Sequence, residues 1–120
     1  MASNPHLRVL VADDERDAAN TLLWLLRDEG YDARAAYDGA EVLRTAREFV
    51  PDVVILDIGM PELNGYDVAR ALRARHPRIV LIALTAWKQN TDKMFAQMAG
   101  FDHHLGKPCD PRALMELLRH

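Results

Sequence analysis

Short apolar runs alternate with helix-forming stretches along the whole chain, and this alternation restricts the possible folds more than any other feature of the sequence. Strands are predicted at 7–12, 31–36, 53–57, 79–85 and 101–105, the second of them less buried and at an edge. Helices are predicted over about 16–29, 39–49, 64–76, 89–99 and 111–120. Strict alternation calls for an α/β fold, a doubly wound parallel sheet with helices on both faces. At this size the common strand order is 2-1-3-4-5.

Composition and charge limit the classes of protein to which the chain can belong. They fit a single domain over 1–120, with its core at about 7–119 and no output domain. Net charge is −3 without any run of Lys or Arg, which argues against a nucleic-acid surface. The first residues lack the features of a signal peptide, and no apolar run reaches the ~20 residues of a membrane span. With a single cysteine, Cys109, no internal disulfide can form, so we expect a cytoplasmic protein without membrane contacts.

The third predicted strand, VVILD, runs from branched apolar residues directly into the carboxylate of Asp57, which is costly to bury without a partner. Other polar residues also end or follow strands: Asp13 and Asp14 the first, Thr85 the fourth and Lys107 the fifth. Parallel strands end at one edge of a sheet, so these side chains should face one crevice. Three carboxylates there repel one another, and a divalent cation relieves that repulsion by its positive charge. Mg²⁺ fits such a site because it prefers oxygen ligands. Together with the lysine and the hydroxyl, they predict a site for a phosphoryl group.

Four stretches occur in the order and at the intervals typical of one family: VADDE, VVILDIGMPELNGYDV, IALTA and FDHHLGKP. Over essentially its whole length the chain resembles the receiver domain of two-component response regulators. It is most similar to the receivers of hybrid histidine kinases or to stand-alone, single-domain regulators. The resemblance implies a flavodoxin-like sheet of order 2-1-3-4-5, and that order rests on the family as much as on the sequence pattern.

The resemblance implies a role for each residue of the acidic set. Asp57 would be the phosphoacceptor, which takes a phosphoryl group from a phosphohistidine. Asp14, Asp57 and the backbone carbonyl of Gly59 would ligate Mg²⁺ (or Mn²⁺), while Asp13 would act through bound water. Lys107 would pair with a phosphoryl oxygen.

The resemblance also implies a conformational switch. Thr85 would move to hydrogen-bond the phosphoryl group and shift an existing two-state equilibrium. Relatives usually carry Tyr or Phe three residues before the lysine, where this chain has His104, a smaller and titratable side chain. A half-buried histidine packed beside the last strand is the simpler interpretation of His104. The Lys107–Pro108 peptide bond is predicted to be cis, as in many relatives.

Partners follow from the same resemblance: a histidine kinase or a histidine phosphotransfer protein, with no direct contact to nucleic acid. The oligomeric state is not indicated. Trp24 lies about 150° around its helix from the apolar stripe, and receivers commonly dock their partners around this helix, so Trp24 is a candidate docking residue. The chain would be a phosphoacceptor with slow self-dephosphorylation, and not an enzyme.

Other interpretations remain open on the residues alone. A magnesium-dependent phosphohydrolase also uses a strand-end Asp, but it usually carries a second Asp where this chain has Gly59. An FMN-binding module would need a Ser/Thr/Gly-rich loop after the first strand, where this chain has Asp-Asp-Glu. A third possibility is a receiver-shaped scaffold that binds partners without phosphorylation. Asp13 and Asp14 alone could merely cap the first helix.

Overall fold

The computed structural model describes residues 7–59, 65–85, 100–107 and 109–119. Its five strands are β1 (Arg8–Ala12), β2 (Asp32–Ala36), β3 (Val53–Asp57), β4 (Val80–Thr85) and β5 (His103–Gly106). The helices in these ranges are α1 (Arg16–Asp28), α2 (Gly39–Phe49), α3 (Gly65–Arg75) and α4 (Pro111–Arg119). The predicted helix at 89–99 and the predicted cis bond at Pro108 lie outside the described residues.

The strands form one parallel sheet in the order β2-β1-β3-β4-β5, which confirms the predicted α/β fold, its strand order and the edge position of β2. Every residue of β3 is buried, and in β4 only the first residue is not. That burial explains why both strands are written as uninterrupted apolar runs, since helices cover both of their faces. The edge strands β2 and β5 are more exposed and carry polar residues.

Each face of the sheet has its own apolar cluster. Residues of α2 and α3 pack on one face, around Leu10, Leu56 and Leu81. Residues of α1 and α4 pack on the other, around Val11, Ile55 and Leu84, which alternate with the first set along their strands. The sheet is therefore doubly wound, with helices packed on both of its faces.

Local capping explains where two of the helices begin or end. Gly30 follows α1 with φ +95° and donates its backbone N–H to the carbonyl of Arg27 (3.0 Å), which is the geometry of a glycine cap. Asp110 caps α4, because its Oδ1 accepts the backbone N–H of Arg112 (2.9 Å). The buried stripe of α4 consists of Leu114, Met115 and Leu118, while Leu117 is half-buried.

The last strand begins two residues later than predicted, and a side-chain contact explains the difference. Asp102 accepts the backbone N–H of Leu81 (2.8 Å) and the guanidinium of Arg73 (2.7 Å) through its Oδ2. Arg73 also donates to the carbonyls of Gly100 (2.7 Å) and Ile79. Because the Asp102 side chain takes the bond to β4 that a backbone carbonyl would otherwise accept, regular pairing starts only at residue 103.

None of the helices in the described ranges has the length and apolar character that a membrane crossing requires.

Candidate functional site

Strand register brings the predicted site residues to one edge of the sheet. Asp13 directly follows β1 and donates its backbone N–H to the carbonyl of Ala36 at the end of β2 (3.1 Å). Asp57 is the last residue of β3 and pairs with Leu84 of β4. Lys107 directly follows β5, and its backbone N–H donates to the carbonyl of Thr85 at the end of β4 (2.8 Å). The predicted convergence of these residues is therefore present in the structure.

Asp57 lies at the centre of the edge and is only 3% exposed. Its Oδ2 accepts a hydrogen bond from Nζ of Lys107 at 2.6 Å, which is also an ion pair. Its Oδ1 accepts the backbone N–H of Gly59 at 2.9 Å. These two contacts compensate the burial of the carboxylate that ends the apolar strand.

Asp13 is 2% exposed but has weaker compensation than Asp57. Its Oδ1 accepts the backbone N–H of Glu15 (3.0 Å), and its Oδ2 lies 3.9 Å from Nζ of Lys107. Burial raises the pKa of Asp13 from 3.8 to about 6; the Glu15 N–H opposes that rise, and the charge of Asp57 adds to it. The N-cap residue of α1 is Glu15, which makes no side-chain cap hydrogen bond, so helix capping does not account for Asp13 and Asp14.

Lys107 is the cation of the site and is held by the carboxylates around it. Its burial alone would lower the pKa of the ammonium group. The hydrogen bond and charge of Asp57, with smaller contributions from Asp13 and Asp14, outweigh that effect, and the pKa of Lys107 is raised. Lys107 therefore stays protonated at neutral pH.

One carboxylate oxygen from each of Asp13, Asp14 and Asp57 lies within 4.8 Å of the other two. Asp14 is exposed, whereas its two neighbours are buried, so the cluster opens to solvent on one side. All three donors are hard, anionic oxygens, the ligands that small divalent cations prefer. The donor set thus fits a metal ion such as magnesium.

The remaining predicted residues lie on three different elements, β4, β5 and α1. Thr85 is 1% exposed and ends β4, which lies between β3 with Asp57 and β5. It pairs with Gly106, the residue before Lys107. His104 is half-buried on β5 opposite Ala83, and its buried Nε2 has no hydrogen-bond partner among the described residues. Trp24 is 73% exposed on α1, as its helical position predicts.

The sequence analysis missed a cation beside the site, the guanidinium of Arg16 at the start of α1. It lies over the ring of Tyr37, with its central carbon 4.2 Å from the ring centroid. Tyr37 follows β2 and is fixed at both ends: its hydroxyl donates to Asn20 (2.7 Å), and its backbone N–H donates to Glu41 (2.8 Å). The sequence sign was available, because Arg16 is the one basic residue in the acidic stretch DDERD.

A groove of about 590 Å³ runs from the acidic cluster between α1 and the residues around the start of α4. Asp13 and Lys107 line its inner end, and Ala18, Leu22 and Leu25 of α1 line one wall. The groove thus connects the acidic cluster with apolar side chains of α1.

Family and relatives agree with this geometry. The family model described as the response regulator receiver domain matches residues 9–119. The transcriptional regulatory protein CreB of Escherichia coli is 36% identical over 111 residues, which are 92% of this chain and 48% of CreB. The DNA-binding response regulator MtrA of Mycobacterium tuberculosis is 38% identical over 112 residues, 93% of this chain and 49% of MtrA. The chain spans about half the length of these relatives.

Solved structures include neighbours of nearly the same size. The chemotaxis protein CheY4 of Vibrio cholerae superposes with a TM-score of 0.89 at 29% identity, covering 94% of this chain and 96% of CheY4. A CheY-like receiver domain protein from Methanospirillum hungatei gives a TM-score of 0.87 at 25% identity, covering 93% and 90% of the two chains. The architecture and the edge that carries the acidic cluster are thus shared with proteins of similar length.

Proposed function

Because the chain belongs to the response regulator receiver domain family of two-component systems, we propose that Asp57 is its phosphoacceptor. The observation that carries this proposal is the 2.6 Å contact between Nζ of Lys107 and Oδ2 of Asp57 within a cluster of three carboxylates. A buried carboxylate held by a lysine is positioned as a nucleophile, and the lysine can follow the negative charge onto a phosphoryl oxygen.

The proposed reaction is transfer from a phosphohistidine. An oxygen of Asp57 attacks phosphorus, the bond between phosphorus and the donor imidazole breaks, and the imidazole leaves with the electron pair and takes up a proton. The product is an acyl phosphate on Asp57. In this reaction the protein supplies position and charge neutralisation more than covalent chemistry. Lys107 stabilises the transferred group, and the chain is a phosphoacceptor with slow self-dephosphorylation, not an enzyme.

Asp14, Asp57 and the carbonyl of Gly59 would hold Mg²⁺ or Mn²⁺, with Asp13 acting through bound water. The 4.8 Å grouping of carboxylate oxygens supports this assignment. When bound, the cation neutralises carboxylate repulsion and the charge of the phosphoryl group. Gly59 is also the donor of the 2.9 Å hydrogen bond to Asp57, so the backbone of Gly59 already lies against the carboxylate.

Thr85 would report the phosphoryl group to the rest of the domain. Its buried position at the end of β4 and the backbone bond from Lys107 to its carbonyl support a role in switching. His104 would be the rotating side chain, because a half-buried imidazole without a partner for Nε2 among the described residues has little to lose by turning.

The partner would be a histidine kinase or a histidine phosphotransfer protein in the cytoplasm, docked over α1. The groove beside the acidic cluster and the 73% exposed Trp24 on the same helix support that surface. MtrA carries the description DNA-binding, and it is about twice the length of this chain. With a net charge of −3, this receiver is proposed to signal by protein contacts and not to touch nucleic acid itself.

The test is the intact mass of the protein after incubation with acetyl phosphate and Mg²⁺. We expect a gain of one phosphoryl group, its loss in Asp57→Asn and in the presence of a chelator, and its retention in Asp52→Asn. Asp52 is a matched control, since it precedes the same strand at the opposite end of the sheet. Absence of the adduct, together with a failure to bind beryllofluoride in the presence of Mg²⁺, would reject phosphotransfer and leave the partner-binding scaffold.

A further inference from the structure

We infer that Arg16 is a donor-binding residue whose guanidinium, held against the ring of Tyr37, attracts and orients the anionic phosphodonor at the rim of the acidic cluster. The inference deepens the proposed function and rests on it, because a donor is needed only if Asp57 accepts a phosphoryl group. No residue of the metal and acceptor set would be replaced; Arg16 would act before transfer, on the approaching anion.

The position of Arg16 puts it at the edge of the sheet that carries the acidic cluster. Arg16 begins α1 two residues after Asp14. Tyr37 begins the loop after β2 and follows Ala36, whose carbonyl accepts the backbone N–H of Asp13 at 3.1 Å. Tyr37 and Arg16 therefore belong to the carboxyl edge of the sheet that also carries the three carboxylates, of which Asp14 is the exposed one.

Neighbouring residues hold Tyr37, and Tyr37 in turn holds Arg16. Tyr37 cannot turn freely, because its hydroxyl bonds Asn20 and its backbone N–H bonds Glu41, which is in turn bonded through its own N–H to the N-cap Asp38 (2.8 Å). A guanidinium 4.2 Å from the centroid of such a ring is held by a cation–π contact. Arg16 takes part in none of the ion pairs found among the described residues, although acidic residues flank it in sequence. Its charge thus remains available to an external anion.

The acidic cluster carries an excess of negative charge. The cluster holds three carboxylates against one lysine, so an approaching dianion meets repulsion until cations offset it. A bound divalent ion and Lys107 act at the reacting oxygens themselves. A guanidinium at the rim adds a planar pair of donors that matches two oxygens of a phosphoryl or carboxylate group. The ligand class is therefore a phosphorylated anion in transit to Asp57.

The experiment measures initial phosphorylation rate against acetyl phosphate concentration at saturating Mg²⁺, for the full chain and four variants. Arg16→Gln should lower the slope about two- to fivefold at low ionic strength, the range expected for one exposed ion pair. Arg16→Lys, which keeps the charge but loses the planar stack, should recover part of that loss. Tyr37→Leu should fall between the wild type and Arg16→Gln. The matched control is Arg75→Gln, which removes an exposed arginine at the opposite end of the sheet and should match the wild type.

Salt distinguishes attraction from a structural effect. At about 1 M salt, where charges act over only about 3 Å, the slopes of Arg16→Gln and the wild type should converge, and their thermal midpoints should agree throughout. Equal slopes at low salt, an equal loss in Arg75→Gln, or a loss that persists at high salt with a lowered midpoint would each overturn the inference. If the wild type itself gains no phosphoryl group and binds no beryllofluoride, the proposed function fails and this inference fails with it.

Discussion

Two buried carboxylates at one edge of the sheet, Asp57 and Asp13, differ because their partners differ. Asp57 has an ammonium group at 2.6 Å and a backbone N–H at 2.9 Å. Asp13 has a backbone N–H at 3.0 Å, and the same ammonium group lies 3.9 Å away. The burial of Asp13 is thus less well compensated than that of Asp57, and the pKa of Asp13 is raised to about 6.

This raised pKa predicts how the stability of the metal-free protein depends on pH. The folded state holds the proton of Asp13 more tightly than the unfolded state, whose pKa is near 3.8, so stability from this group is present at low pH and is lost as pH rises from about 4 through about 6. We expect Asp13→Asn to lack this component and to be more stable than the wild type at pH 7 by on the order of 1 kcal/mol, because a neutral amide removes the charge that burial opposes.

Urea denaturation in the presence of a chelator, repeated across that pH range, measures the difference between the two proteins. Asp28→Asn, a change at the far end of α1, serves as the control and should follow the wild-type curve. Parallel curves for Asp13→Asn and the wild type would contradict the assignment of the raised pKa to Asp13.

At this scale the sequence predicted which residues meet but not how each is compensated. Asp13, Asp57 and Lys107 could be placed because each ends or follows a strand, and strand ends converge in a parallel sheet. The stacking of Arg16 on Tyr37 could not be placed, because it depends on side-chain rotamers of two residues that no strand-end rule connects.

Secondary-structure elements followed the sequence most closely where local signals define both of their ends. The bounds of β3 and of α2 are those predicted, 53–57 and 39–49, since apolar runs and the Asp38 cap define them locally. The start of β5 was placed two residues early because a long-range contact, Asp102 with Arg73 and Leu81, decides it. No local pattern reports a bond between residues so far apart in the chain.

The C-terminal end of α2 carries local strain. Val50 has φ +51° and ψ +65°, a left-handed conformation that is unfavourable for a β-branched residue, and its side chain is 54% exposed. Glycine is the usual residue at this position of a helix end. We expect Val50→Gly to raise the free energy of unfolding by about 1 kcal/mol, because relief of strain exceeds the extra entropy of the unfolded chain.

Chemical denaturation of the purified variant checks this expectation. Arg44→Gly, an exposed change within the same helix, should instead destabilise the protein by about 1 kcal/mol, since glycine has an unfavourable helix propensity and the change removes the weak ion pair of Arg44 with Glu41 (3.8 Å). A loss of stability in both variants would show that the left-handed conformation of Val50 carries no strain worth relieving.

For the whole molecule, the acidic cluster predicts that stability depends on a bound metal ion. A cation that binds only the folded protein stabilises it by about 1.4 kcal/mol at ten times its dissociation constant, which corresponds to a rise of about 4–6 °C in the thermal midpoint of a domain of this size. We expect Mg²⁺ to produce such a rise in the wild type and a chelator to reverse it.

A double variant, Asp13→Asn with Asp14→Asn, isolates the cluster as the cause. It should lose most of the Mg²⁺-dependent rise while keeping a cooperative transition. The same rise in wild type and double variant would place the stabilising metal elsewhere on the protein.

The contact between Lys107 and Asp57 joins residues fifty positions apart, and this separation has a consequence for biosynthesis. A nascent chain that has left the ribosome only as far as β4 already contains Asp57, Asp13 and Asp14 but not the ammonium group that balances them. The ammonium group of Lys107 therefore reaches the carboxylates last, when β5 joins the sheet and the ion pair with Asp57 forms. We therefore expect the acidic edge to lack its balancing cation until translation has completed the fifth strand.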